Sequence, residues 1–198
     1  WGGDAGYADY IELSFSLFGY NVGALYYTFY LLIFMSSFLF ILQFYDNITP
    51  LLVLAVFHYV ISALITTGFL SHTGLETITN PRFVTTLALT PLFHALYAII
   101  YRIRITALSI LMLFLQAALM TFALGARSST IWMFVALIGF SVLLILLSGL
   151  FNRKWLASLR RCWPTMIVLA TLVGGNYLAD LKADPRLEAD GWMRKHNF

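Results

Sequence analysis

IWMFVALIGFSVLLILLSGLF, residues 131–151, contains no ionisable side chain. A helix rises about 1.5 Å per residue, so a run of ~20 such residues crosses a hydrocarbon core of ~30 Å. Within it, Val142–Leu143–Leu144–Ile145–Leu146–Leu147 lacks the in-out alternation of a barrel strand. Hydrocarbon cannot hydrogen-bond a backbone, so a spanning stretch without that alternation must be a helix. Working outward, five further apolar stretches have similar character: Val22–Tyr45, Thr49–Leu70, Val84–Tyr101, Ile105–Leu124 and Cys162–Asp180. The fold expected is all-α, a polytopic transmembrane helical bundle of about six spans. The third is the shortest and carries Pro91, which predicts a kink or a one-turn distortion. The sixth is the least regular, with Pro164 near its start and Gly174–Gly175 inside.

Composition agrees. The 198 residues are 61% hydrophobic, 17% aromatic and 11% charged, against roughly 45–50% apolar and about 25% charged in soluble domains. Mean hydropathy is +0.84. These values exclude disorder, collagen, a disulfide scaffold and a zinc finger. Cys162 is the single cysteine, so it forms no internal disulfide and offers no cysteine-based metal site. A net charge of +3, concentrated in membrane-facing loops, gives no footprint for nucleic acid.

Three regions follow: an outward-facing interfacial segment (1–21), the six-helix bundle (22–181) and a short polar tail (182–198). The connections Asp46–Asn47–Ile48 and Arg102–Ile103–Arg104 are short, so the helices they join are antiparallel neighbours. Asn47–Ile48–Thr49 matches a glycosylation sequon, but its place at the membrane and the following Pro50 argue against use. Arg102, Arg104, Arg153, Lys154, Arg160 and Arg161 share one face, and Arg82 and Arg127 lie on the other before the tail. The excess of positive charge assigns the first face to the cytoplasm and both termini to the outside. Residues 1–21 contain Asp4, Asp9 and Glu12 and no basic group. An outside N-terminus starting at Trp1 reads as a processed product, or as part of something longer. The alternation of Ile11, Leu13, Phe15 and Leu17 leaves a short extended stretch open there.

Polar residues inside spans are costly and are the natural place to look for function. His58 and His94 fall roughly 10–14 Å from the cytoplasmic ends of their spans, and Gln116 about 17 Å. Each belongs to a polar or small stripe at helical spacing: Ala55, His58, Ser62 and Thr66; Thr86, Thr90, His94, Tyr97 and Tyr101; Ser109, Gln116 and Met120. Spans two, three and four are expected to turn these stripes toward one another. Three roles are open to His58, His94 and Gln116. They can be interhelical hydrogen-bond partners. The histidines can be axial ligands of a haem or of magnesium tetrapyrroles, which neutral imidazole permits. They can line a proton or substrate path, although no span interior supplies a carboxylate.

Outside the spans, Asp4, Asp9 and Glu12 are either a solvated acidic stretch or carboxylates able to act as a base or hold a divalent ion. His72 and Glu76 lie four apart in the loop Ser71–Phe83, a weak metal-ligand spacing. No phosphate-cradling glycine loop, HExxH or nucleophile elbow occurs. Arg153, Lys154, Arg160 and Arg161 surround Trp155, Leu156 and Leu159, the pattern of an interfacial helix on anionic lipid headgroups. An acidic partner surface is the alternative. Trp1, Trp132, Trp155, Trp163 and Trp192 all fall at or beyond span ends, where amphipathic rings prefer to sit. The first span carries aromatics all round, from Tyr26 to Tyr45, which suits lipid or flat contact with protein, pigment or quinone.

Gly19–Tyr20–Asn21–Val22–Gly23–Ala24–Leu25–Tyr26–Tyr27 and Arg127–Ser128–Ser129 followed by Trp132 resemble large uncharacterised bacterial multi-pass proteins. Their layout is similar to the membrane half of lipid-linked-sugar glycosyltransferases. The resemblance implies a bacterial inner membrane and catalytic acids in an outward loop, where Asp4 or Asp9 corresponds. The chain departs from that pattern: it lacks the helix that should precede the loop and a sizeable outer domain.

The function expected first is a structural or accessory subunit packed with other membrane subunits in a larger assembly. A glycosyltransferase-like membrane fragment comes second, and a haem- or chlorophyll-binding subunit using His58 and His94 third.

Overall fold

The computed structural model describes the backbone of residues 5–70, 81–152 and 155–182, and side chains within 6–63, 83–150 and 155–177. Of the described residues 90% are helical and none is in a strand. In order, the elements are α1 (Ala5–Phe18), α2 (Gly23–Phe44), α3 (Ile48–Leu70), a helical turn (Pro81–Val84), a 3-10 turn (Thr85–Ala88) and α4 (Leu89–Ile100). Then follow α5 (Ala107–Ala126), a second 3-10 turn (Ser128–Thr130), α6 (Ile131–Asn152), α7 (Trp155–Arg161) and α8 (Trp163–Lys182).

The N-terminal segment is helical, so the extended alternative for Ile11–Leu17 is not adopted. Tyr7, Tyr10, Ile11 and Ser14 recur at three- and four-residue steps, which gather on one face of a helix. That face packs into the core: Tyr10 and Ser14 are fully buried, with Tyr7 and Ile11 against them. The Tyr10 hydroxyl donates to the Leu25 carbonyl, fastening α1 to α2. The helix stops at Gly19, whose φ of +81° is relaxed only for glycine.

Helix α5 is central, with α1, α2, α4 and α8 all packed on it. Small residues permit the closest approaches. A Cβ on Gly6 would lie 2.5 Å from the Gly125 backbone, and one on Gly175 would lie 2.9 Å from Thr121. The glycine pair that makes the last stretch look irregular is therefore where α8 meets α5. Helix α3 rests on α2, and most of its described side chains, within residues 48–63, are exposed.

Among the described residues, three segments are long and apolar enough to cross a membrane: Gly23–Phe44, Ala107–Ala126 and Ser128–Leu150. Four qualify if α7 and α8, bent by 51° at their junction, form one broken span. That is fewer than the six expected. The shortfall lies in two places: described side chains in α3 end an apolar segment at Ala63, and Thr85–Ile100 is too short. Pro91 lies inside the second. It offers no N–H to the Leu87 carbonyl, and the residues before it, Thr85–Ala88, tighten into a 3-10 turn.

Candidate functional site in a buried polar cluster

Ser36 and Ser37 sit in the middle of α2, flanked by Phe34 and Phe38. Adjacent residues on a helix point about 100° apart, so one serine faces α5 and the other α3. The Ser36 hydroxyl donates to Gln116 Oε1 at 2.6 Å, and Gln116 Nε2 donates back to the Ser36 carbonyl at 2.7 Å. This reciprocal pair orients the amide, because its oxygen only accepts and its nitrogen only donates. The second Nε2 hydrogen reaches His94 Nδ1 at 3.2 Å. With Nδ1 accepting, the imidazole proton resides on Nε2.

His94 is fully buried, and its Nε2 has no hydrogen-bond partner among the described residues. Phe40 and Phe44 of α2 meet the ring edge-on, with centroids 5.7 and 5.4 Å away. Tyr97, one turn further along α4, touches the same two phenylalanines. The His58 environment is separate. Its Nε2 lies 2.6 Å from the Ser37 hydroxyl, which also donates to the Ile33 carbonyl at 2.7 Å. With its single proton given to Ile33, that hydroxyl is the acceptor and His58 Nε2 the donor.

Gln116 and His94 therefore meet directly, as expected, but His58 joins through α2 instead of across spans two to four. The serines at the centre were not singled out from sequence. Their signal is two adjacent hydroxyls in an otherwise aromatic and aliphatic helix, where each needs a partner. Chemically the group is a set of neutral donors and acceptors crosslinking α2, α3, α4 and α5. No group of three or more histidine, cysteine, aspartate or glutamate residues able to hold a metal occurs among the described residues.

No family model, curated protein or solved structure matches the chain.

The remaining candidates are dispersed. Asp9 and Glu12 are exposed on α1, while Asp4, His72 and Glu76 lie outside the described residues. Of the four basic residues assigned to lipid headgroups, Arg153 and Lys154 also lie outside them, and Arg160 is exposed. Arg161 is half-buried and acts as a brace, its Nε and Nη2 donating to the carbonyls of Ile99 and Ile100 at 2.6 and 2.9 Å. These are terminal carbonyls of α4, where a cation is also favoured by the helix dipole. A second hydroxyl pair, Ser141 and Thr165 at 2.6 Å, joins α6 to α8.

Proposed function

We propose that the chain is an integral membrane subunit that crosses the bilayer six times and packs, through α3, against another membrane polypeptide. The uncovered face of α3 carries this proposal. Leu52, Val56, Tyr59 and Val60 are each about half exposed or more, with Tyr59 at 76%, and Ala55 and Ala63 are exposed beside them. Alanines allow close backbone approach, and a tyrosine provides both flat contact and a hydroxyl that gains from a partner. Helix α2 also exposes aromatic surface, with Phe34 and Phe38 stacked at 6.4 Å.

The polar cluster fits a structural role. Its bonds tie four helices together inside hydrocarbon, where each hydroxyl, amide or imidazole lacks a water alternative. A photo-crosslinking phenylalanine analogue at Tyr59 is expected to trap one discrete polypeptide in native membranes. The same analogue at Leu146, on α6, is expected to trap lipid alone. Equal, lipid-only trapping at both positions would overturn the subunit role.

A further inference from the structure

At the opposite end of the bundle from α1, a cavity of about 760 Å³ opens between the α4–α5 turn, the end of α6, α7 and the start of α8. Arg102, Arg104, Arg160 and Arg161 line it, together with Ile105 and Trp163, and among the described residues no carboxylate does. We propose that this cavity is a binding site for the phosphate group of an anionic lipid. It goes beyond the subunit role above but rests on the same placement of these helix ends at a membrane surface.

Four guanidinium groups around one unneutralised cavity repel one another, and a shared anion removes that repulsion. Burial, and after it the adjacent charge of Arg102, lowers the Arg161 pKa from its ordinary value. Guanidinium suits this role because its planar fork bonds two phosphate oxygens at once. Arg161 is already oriented: the carbonyls of Ile99 and Ile100 take two of its five N–H donors, and the others remain for a ligand.

Arg102 supplies an independent observation. Helix α4 ends in a Schellman motif, with Ile103 N–H donating to the Ala98 carbonyl at 3.0 Å and Arg102 N–H to that of Ile99 at 3.3 Å. The residue at the turn of this motif must be left-handed, and glycine is the usual choice. Here it is Arg102, at φ +52°, the one non-glycine with positive φ among the described residues. A strained arginine stands where an unstrained glycine would serve the fold, and it faces the cationic cavity.

The apolar part of the lining selects a lipid over a free phosphate. Ile105 is 53% exposed, and Trp163, which donates its indole N–H to the Ile103 carbonyl at 3.4 Å, is half-buried in the same lining. An acyl chain leaving the phosphate finds that surface; a water-soluble anion does not.

The test is native mass spectrometry of the full chain in detergent, titrated with dioleoyl phosphatidic acid, dioleoyl phosphatidylcholine or inorganic pyrophosphate. Phosphatidic acid is expected to bind about tenfold more tightly than phosphatidylcholine, and pyrophosphate more weakly than phosphatidic acid. The pair Arg104→Gln with Arg160→Gln is expected to lose about tenfold in phosphatidic acid affinity. Arg194→Gln with Lys195→Gln, an equal loss of charge in the tail, is expected to change nothing. Arg102→Gly separates binding from folding, because it should raise the melting temperature while weakening phosphatidic acid. Equal loss in both double variants, or no preference over phosphatidylcholine, would overturn the site. Tight pyrophosphate binding without lipid preference would overturn its assignment to lipid. None of these results depends on a partner at α3, so the two proposals fail separately.

Discussion

At the scale of single residues, Gln116 has the most dependants. Its amide bonds the Ser36 hydroxyl, the Ser36 carbonyl and His94 Nδ1, all within the core. Replacing it with leucine keeps the volume and takes a partner from the Ser36 hydroxyl and from His94 Nδ1. Within a bilayer an interhelical hydrogen bond averages about 0.6 kcal/mol, and a stranded buried group costs about 1–3 kcal/mol. Gln116→Leu is therefore expected to destabilise by about 2–4 kcal/mol. His58→Ala removes one bond at a half-buried site and is expected to cost about 1 kcal/mol or less. Unfolding in mixed micelles measures both, and the reverse ranking would contradict the proposed hub. Gln116 and His94 were legible in the sequence because polar residues in apolar runs stand out. Ser36 and Ser37 were less so, because small hydroxyls satisfy themselves within a helix, as Ser37 partly does on Ile33.

At the scale of elements, α1 is held by shape and by one phenol. Gly6 lies flat against the Gly125 backbone, so Gly6→Ala forces the helices apart and is expected to cost about 1–3 kcal/mol. Faster proteolysis near residue 20 would report the undocking, and unchanged proteolysis would count against this contact. The tyrosines add a pH dependence. Burial pushes the Tyr7 phenol up to about 12, and burial followed by Tyr7 itself raises Tyr10 further. A phenol freed from the core titrates near 10. The docked state therefore holds its protons longer, and its stability is full below pH ~10 and declines as pH rises toward about 12. Tyr10→Phe is expected to flatten that decline while losing the bond to Leu25. A profile as steep as the wild type would exclude Tyr10 as its source.

Element boundaries were readable to within a few residues wherever chemistry marks an end. The stretch read as Ile105–Leu124 is helix Ala107–Ala126, started by Thr106, whose hydroxyl accepts from the Ser109 N–H at 3.1 Å. The stretch Val84–Tyr101 shows the one-turn distortion expected from Pro91, as the 3-10 turn Thr85–Ala88 just before helix α4. Residues 1–21 left an extended stretch open, because hydrophobic alternation over Ile11–Leu17 competes with a helical face that tertiary contact with α2 and α5 rewards.

At the scale of the whole molecule, apolar surface faces outward to an extent water would not tolerate. Leu150, Trp132, Val173 and Leu156 are each at least 69% exposed, on three different helices. Such a surface suits hydrocarbon as its surroundings, as the helices long and apolar enough to cross a membrane also suggest. The structure further gathers Arg102, Arg104, Arg160 and Arg161 at one end of the bundle, although the first two lie far from the last two along the chain. Counting charges in sequence assigned them a common side, and the helix packing supplies the geometric reason.

Six crossings with both termini outside is the central claim, and single-cysteine labelling in intact cells tests it most directly. In a Cys162→Ser background, a membrane-impermeant maleimide is expected to label Asn21→Cys and Asn197→Cys from outside. Arg104→Cys should react only after permeabilisation. Labelling of Arg104→Cys from the same side as Asn21→Cys would contradict the account.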